Sequence, residues 1–320
     1  ALRNRTDTVK AGTVALSFPG FDNPRAKANP PSKRQKVEGQ LAGVSVQTFD
    51  DASVNMQYVL AAIRDNDVRT GGWLGNNGRA WKSIERGLPS ADGSGATIAL
   101  DYRLQPGEST ARRVVLAWYA PRWNAGGSPS VDSPRRFTHM YARHFNSAED
   151  VASRIAGEHK SLLKRVIAWQ EEIYRDAKIP GWLADCLINN LHLITETSIW
   201  GQADGPLAQF GDELGLFGLN ECPRGCPQIE CIPCSFYGNM PIVYFFPEAA
   251  LSTLRGYKAY QFDDGRSPRT VGGVTASDAE NKMPYDLAAP DKGYQTVLNA
   301  ACYVVMVDRY WQTTGDDKVL

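Results

Sequence analysis

Four cysteines crowd into thirteen residues immediately after an acidic one: Cys222, Cys226, Cys231 and Cys234 follow Glu221 with the spacing C-x3-C-x4-C-x2-C. Thiolates are the soft ligands that zinc and iron–sulfur clusters take, so this cluster can hold either. It can also pair into disulfides in an exported protein, or remain as free thiols. The usual pair of C-x2-C knuckles is not complete, which leaves all three readings open. Glu221 itself closes the apolar run Leu214 to Leu219 within a Gly-rich loop. That setting can hold a carboxylate rigidly while leaving it open to a ligand.

Other chemistries find less support. His139, His144, His159 and His192 lack metal-protease spacing, and His192, on the second predicted helix, reads as a satisfied core residue. There is neither a phosphate-cradling glycine loop nor a nucleophile-elbow serine, which counts against nucleotide enzymes and serine hydrolases. Cys186 and Cys302 fall on apolar helical faces and are expected as packed thiols.

The elements that must position these residues change character near the middle of the chain. Residues 1 to 145 read as β-structure: short runs at Gly12–Phe18, Val44–Phe49, Ala96–Tyr102 and Arg113–Tyr119 are separated by Gly, Pro, Asn and Asp. A β-sandwich is the economical way to bury them. The basic, proline-containing stretch Pro24 to Lys36 has no apolar period and is expected as an exposed loop.

Residues 146 to 320 turn helical. Asn146 or Ser147 can cap a helix with Val151, Ile155, Leu162, Val166 and Trp169 on its apolar face, ending before Ile179-Pro180. Further helices are predicted from Trp182 to about Ser198, from about Phe236 to Tyr260 with interruptions at Pro241 and Pro247, and from Tyr294 to Thr313. Long polar connections rich in Gly and Pro suit a helical barrel that carries its chemistry on its loops. No internal repeat stands out.

Composition narrows the partners. With 35 basic and 35 acidic side chains in 320 residues, the formal net charge is zero, so nothing general draws the chain to nucleic acid or anionic lipid. A hydrophobic share of 42% and a charged share of 22% describe an ordinary globular protein large enough for two domains. No run approaches the roughly 18 apolar residues of a membrane span. The chain opens at Ala1 with no charged-then-apolar leader and stops just past a helical pattern, as expected of a piece whose barrel continues beyond Leu320. The compartment, soluble cytoplasmic or exported, is left open.

Four collinear stretches resemble glycoside hydrolase family 116, the group of non-lysosomal glucosylceramidases and bacterial or archaeal β-glucosidases. Val115-Leu-Ala-Trp-Tyr-Ala-Pro121 with Arg135-Arg-Phe-Thr138 is similar to the family's last sandwich strand and the link out of it. Trp169, Ile179-Pro-Gly-Trp-Leu183, Leu187, Asn189, Asn190 and Trp200 resemble its first two barrel helices. Leu216-Phe-Gly-Leu-Asn-Glu221, with Phe236-Tyr-Gly238 and Phe246-Pro247 after it, resembles the segment bearing the nucleophile. Pro284-Tyr-Asp-Leu287, Leu298-Asn299, Asp308-Arg-Tyr310 and Thr314-Gly-Asp316 resemble the family's segments downstream of the nucleophile. Each match is short, and their order and spacing carry the weight.

The resemblance implies a multidomain β + α protein: the later part of a β-sandwich over residues 1–145, then the first half of an (α/α)6 helical barrel over 146–320. It implies a retaining glycosidase that cleaves β-glucosidic bonds of a carbohydrate or glycolipid by double displacement and requires no cofactor. Two carboxyl groups roughly 5 to 5.5 Å apart then share the work. Glu221 matches the nucleophile, while the acid/base aspartate is expected beyond Leu320, so hydrolysis by this chain alone would need another carboxylate such as Asp204, Asp212 or Glu230. Asp286 is similar to a sugar-binding aspartate. Tyr285 stands where the family usually has His and cannot carry a positive charge near neutral pH. Trp200, Phe217 and Tyr237 are candidates to stack on a sugar face.

The cysteines depart from the family, which more often shows aromatic and acidic residues leading to Thr-x-Asp. A catalytically inactive sugar-binding relative is one alternative. Another is a zinc/thiolate glycosidase, since some other helical-toroid glycosidases use a zinc-bound cysteine as nucleophile.

Overall fold

The computed structural model describes residues 1–21, 31–51, 54–65, 67–125, 135–211, 213–222, 226–273, 287 and 296–319. By contacts the chain divides into two compact units, 1–121 with 141–165, and 122–140 with 166–320. Residues 122–140, expected with the sandwich, therefore cluster with the second unit, and the first turns of the long helix cluster with the first.

The first unit is built on antiparallel strands β1 (Leu2–Arg3), β2 (Lys10–Phe18), β3 (Ser32–Val37), β4 (Leu41–Asp51), β5 (Val54–Ile63), β6 (Val68–Gly71), β7 (Ala96–Leu104), β8 (Ser109–Thr110) and β9 (Val114–Tyr119). Two sheets, ordered β2-β7-β6 and β3-β4-β5-β9, enclose a core of Val44, Val46, Tyr58, Leu60, Ile98 and Leu100. Of the loop expected from Pro24 to Lys36, residues 24–30 lie outside the described residues, and Ser32 to Lys36, with Val37, pair with β4 from Thr48 to Gly43. The polar side chains of β3 belong to the outermost strand of that sheet, where a charged surface also discourages edge-to-edge pairing.

Strand β5 is buried without a break from Tyr58 to Ala62. A strand whose successive side chains are all buried must be covered on both faces. Tyr58, Leu60 and Ala62 point into the sandwich. Val59 and Ala61, with Val115 and Ala117, meet Ala148, Ala152 and Ala156 of helix α1 (Ala148–Arg175). Alanine every fourth residue makes a flat stripe on which the helix can lie close to the sheet. Ser147 caps it: its Oγ accepts the Asp150 N–H at 3.0 Å while the Asp150 carboxylate accepts the Asn146 N–H at 3.0 Å, a reciprocal box. Gln57 accepts the Ala148 N–H at 2.9 Å, satisfying another free donor of the first turn.

The second unit opens on the hairpin β10 (Arg122–Ala125) and β11 (Arg135–Thr138). Its helices are the rest of α1, α2 (Gly181–Asn190), α3 (His192–Glu196), α4 (Ile232–Gly238), α5 (Met240–Phe245), α6 (Pro247–Ala259) and α7 (Thr296–Thr314). The proline breaks fall as expected, with Pro241 in the first turn of α5 and Pro247 opening α6. Proline is tolerated there because those N–H groups lack helical partners.

Among these helices runs a four-stranded antiparallel sheet that the sequence did not announce, ordered β12 (Ser198–Gly201), β13 (Leu216–Cys222), β14 (Cys226–Ile229) and β15 (Gly272–Gly273). Glu221 thus stands on a strand rather than in a glycine-rich loop. The reason is packing: at Gly218 an added Cβ would lie 2.6 Å from Ile229 Cγ2, so glycine lets the neighbouring strand's side chain seat against the backbone. Leu216, Ile229, Ile199 and Phe137 bury together in one core cluster of this unit. Tyr257, Leu254, Val243 and Met306 join α5, α6 and α7 in a second. No helix among the described residues is long and apolar enough to cross a membrane.

Candidate functional site at Glu221

A pocket of about 140 Å3 opens where β13, the end of α3 and the start of α4 converge, lined by Leu193, Thr197, Asn220, Glu221, Cys231 and Cys234 among others. An apolar cavity of about 150 Å3 takes up benzene, so the space suits one ring. Alternate residues of a strand face the same way, and Leu219 and Glu221 both line this pocket, while the amide of the intervening Asn220 is buried. The β13–β14 ladder shifts register between Asn220 and Cys222, and such a bulge re-aims a side chain.

The Cys234 thiol donates to Glu221 Oε1 at 3.1 Å. The ligand atoms of Glu221, Cys231 and Cys234 all lie within 4.8 Å of one another. Burial, then the bond to Glu221, pushes the Cys234 thiol up to about 12. Burial, then the nearby Glu221 charge, also raises Cys231. Both are free thiols, so they are not the halves of a disulfide. Tetrahedral zinc, with bonds of about 2.3 Å to sulfur and 2.0–2.2 Å to oxygen, sets neighbouring donors about 3.5–3.8 Å apart, against 3.1 Å between Cys234 and Glu221 and at most 4.8 Å across the set, so small side-chain shifts would be needed to close on an ion. The group able to hold a metal is therefore Glu221 with Cys231 and Cys234. Cys222 and Cys226 face each other as backbone partners across β13 and β14, and their side chains lie outside the described residues.

Behind the pocket wall lies Glu230, only 2% exposed. Its carboxyl accepts the Leu219 N–H at 2.6 Å, the Thr253 hydroxyl at 3.3 Å and the Ser235 hydroxyl. Burial raises its pKa and the three donors oppose that rise. Tyr257, fully buried, donates to the Glu230 carbonyl oxygen at 2.7 Å. Glu230 takes a left-handed φ of 52°, a strained conformation for a side chain with a Cβ, at the turn from β14 into α4. These bonds pin the Leu219 backbone two residues before Glu221. Sequence patterning marked Glu230 only as a spare acid, since nothing local shows which carboxylate is enclosed.

The other expected residues are placed elsewhere. Trp200, 44% exposed on β12, donates its indole N–H to the Leu214 carbonyl at 2.7 Å and meets Phe217 edge to face at 6.0 Å. Tyr237, 73% exposed, lines an apolar groove with Phe236, Leu298 and Val305 rather than the Glu221 pocket. Tyr285, Asp286 and Asp212 lie outside the described residues. Cys186 is exposed, contrary to the expectation of a packed thiol, because α2 turns that face outward, whereas Cys302 is buried as expected. His192, expected in the core, is instead exposed at the start of α3, 3.7 Å from Glu196 one turn on.

The residue that patterning passed over is Asn220. Its side chain is 2% exposed, and both its amide nitrogen and oxygen are buried with no hydrogen-bond partner among the described residues. Only the adjoining backbone is satisfied, the Asn220 N–H donating to the Thr197 carbonyl at 2.8 Å. Set against known families, the chain matches no protein-family model.

Proposed function

We propose that this chain carries the sugar-attacking carboxylate of a retaining β-glycoside hydrolase, with Glu221 as nucleophile toward a β-glucoside or glucolipid. The observation that supports this is the placing of Glu221 on the wall of a ring-sized pocket, at the bulged end of a strand anchored from behind by Glu230. A Glu221 oxygen forms the bond to the anomeric carbon as the bond to the leaving oxygen breaks. A second carboxyl group then protonates that oxygen, and water later releases the sugar with retention. The Cys234 S–H at 3.1 Å is a donor to the attacking carboxylate and helps to fix its rotamer.

The (α/α)6 barrel belongs to the same proposal. Val166 and Ile167 of α1, Trp182 of α2, Tyr244 of α5 and Val297 and Val304 of α7 are exposed apolar side chains. Further helices of a barrel would cover such faces.

The test needs no acid catalyst. Incubated with 2-deoxy-2-fluoro-β-glucosyl fluoride, whose fluoride leaves unaided, the chain is expected to gain one fluoroglucosyl group on Glu221 by intact and peptide mass spectrometry. Glu221→Gln should remain folded and gain none. Labelling that persists in Glu221→Gln would remove the assignment, and sugar binding without labelling would mark a catalytically inactive relative.

The thiol pair favours a second reading, in which Cys231, Cys234 and Glu221 hold zinc. Bound there, zinc would supply a Lewis acid and hold cysteine as thiolate. Elemental analysis of the purified chain, before and after chelation, separates the readings: stoichiometric zinc lost together with Cys231→Ser or Cys234→Ser supports the metal centre.

A further inference from the structure

Cys231 caps the N-terminus of α4 and Cys234 lies in its first turn, with Ile232 and Pro233 between them. The Cys231 carbonyl accepts the Cys234 N–H and the Ser235 N–H, each at 2.9 Å. A bond from one carbonyl to the N–H three residues on keeps the two Cα atoms about 5–6 Å apart, inside the span of about 4.4–6.8 Å that a disulfide bridges. The side chains agree with the backbone: the two sulfurs lie within 4.8 Å of each other, and a Glu221 oxygen lies within the same distance of both.

Little has to be ordered for the pair to close. Pro233 has one fixed backbone angle, the Ile232 N–H donates to the Arg269 carbonyl at 2.8 Å, and the Ser235 hydroxyl is bound to Glu230. The turn carrying both thiols is therefore held in place before any bond forms between them. Access is unequal, with Cys234 exposed and Cys231 only 5% exposed. An external disulfide meets Cys234 first, and Cys231 is the neighbour that resolves the mixed product.

We propose that Cys231 and Cys234 are a redox-active dithiol, which a small disulfide such as oxidised glutathione closes into an intramolecular bond, taking the donor away from Glu221. In the first step the Cys234 sulfur, having released its proton, bonds to one sulfur of the oxidant; the oxidant's S–S bond breaks, and its other half leaves and takes up a proton. In the second the Cys231 sulfur gives up its proton and displaces the remaining glutathione from Cys234. Two protein thiols are oxidised with loss of two hydrogens, and the oxidant is reduced to two glutathione thiols.

A disulfide has no S–H to give, so the 3.1 Å bond from Cys234 to Glu221 Oε1 is lost. Nor has it a thiolate for zinc, so oxidation and metal binding at these sulfurs exclude each other. Closure of the dithiol needs only the geometry of the turn, whereas its effect on catalysis rests on the glycosidase reading of Glu221.

The experiment equilibrates the whole chain, in EDTA to keep metal off the thiols, in glutathione buffers from fully reduced to fully oxidised. Samples are quenched in acid, unfolded, alkylated and cut after Glu230, so that Cys226 falls on a separate peptide for mass spectrometry. The expected product is a peptide joined internally between Cys231 and Cys234, formed while Cys302 still takes up the alkylating agent. Cys231→Ser should stop at a mixed disulfide of Cys234 with glutathione. Oxidised wild type should take the fluoroglucosyl label at Glu221 about tenfold more slowly than reduced wild type, with the rate restored by dithiothreitol.

Alkylation of both Cys231 and Cys234 in fully oxidised buffer overturns the dithiol, and so does a bond from either to Cys222 or Cys226. An oxidised chain that labels at the reduced rate overturns its effect on Glu221. A chain that forms the Cys231–Cys234 bond but takes no label in either state upholds the dithiol and removes the nucleophile assignment alone.

Discussion

Cys234 and Glu221 are thirteen residues apart and joined by one hydrogen bond, from thiol to Oε1 at 3.1 Å. The reversal of chain between β13 and α4 brings them together, with Glu230 at the hinge holding both sides through Leu219 and Ser235. With its pKa lifted to about 12 by burial and by Glu221, Cys234 keeps its proton at neutral pH and acts as a donor to the carboxylate.

Removing that donor should slow the attack of Glu221 while sparing the fold. Cys234→Ala is expected to take the fluoroglucosyl label about tenfold more slowly, equivalent to about 1.4 kcal/mol in the barrier, whereas Cys234→Ser retains a hydroxyl donor and stays near wild type. Equal labelling rates for alanine and wild type would show that the thiol has no part in positioning Glu221.

Glu230 should act through stability. In Glu230→Ala the Leu219 N–H and the Ser235 and Thr253 hydroxyls lose their acceptor inside the protein, and the expected loss is about 2–4 kcal/mol by urea denaturation. Glu230→Gln keeps one acceptor oxygen for Leu219 and should lose less, with labelling at Glu221 preserved. A fully stable alanine variant would contradict the anchoring role.

Gly218 is expected to tolerate no side chain. In Gly218→Ala the new Cβ would meet Ile229 Cγ2 at 2.6 Å and Glu230 Cγ at 3.3 Å, forcing β13 away from β14. Overpacking of this kind costs about 1–3 kcal/mol, read as a lower melting temperature. An unchanged Tm would mean that the two strands are more loosely packed than these distances state.

The histidine at 139 gives the second unit a pH dependence. Burial holds its imidazole, 4.3 Å from the ring of Trp123, down to about 4 against the ordinary 6.5. Between those values the unfolded chain binds a proton that the folded chain does not, so stability falls as pH drops from 6.5 toward 4. The full span corresponds to about 3 kcal/mol. His139→Phe retains a ring against Trp123 and should lose about 2 kcal/mol less than wild type between about pH 7 and pH 4.5 in urea melts. Identical losses would place His139 in contact with water in the folded chain.

Local chemistry made much of the scaffold legible. The cap at Ser147, the stop before Pro180 and the breaks at Pro241 and Pro247 are set by which backbone groups a neighbouring residue can satisfy or block, and they fall where the sequence placed them. Strands β2, β4, β7 and β9 likewise declare themselves by turn residues at their ends and apolar runs between, whereas the polar β3 read as a loop. The sheet around Glu221 did not, because strands of four to seven residues that carry glycine or proline resemble loops until a distant partner completes their hydrogen bonds.

For the site, the sequence by itself singled out Glu221 and a cysteine-rich stretch, since residue type and spacing are local properties. Which thiols meet that carboxylate, which glutamate is sealed behind it and which amide is left unfilled beside it were decided only by tertiary structure. Burial and pairing depend on segments tens of residues away: Thr197 lies before the strand, and Thr253 and Tyr257 lie on a helix well after it. The bulge beside Glu221 is a mismatch between two strands, and a mismatch has no expression in either strand alone.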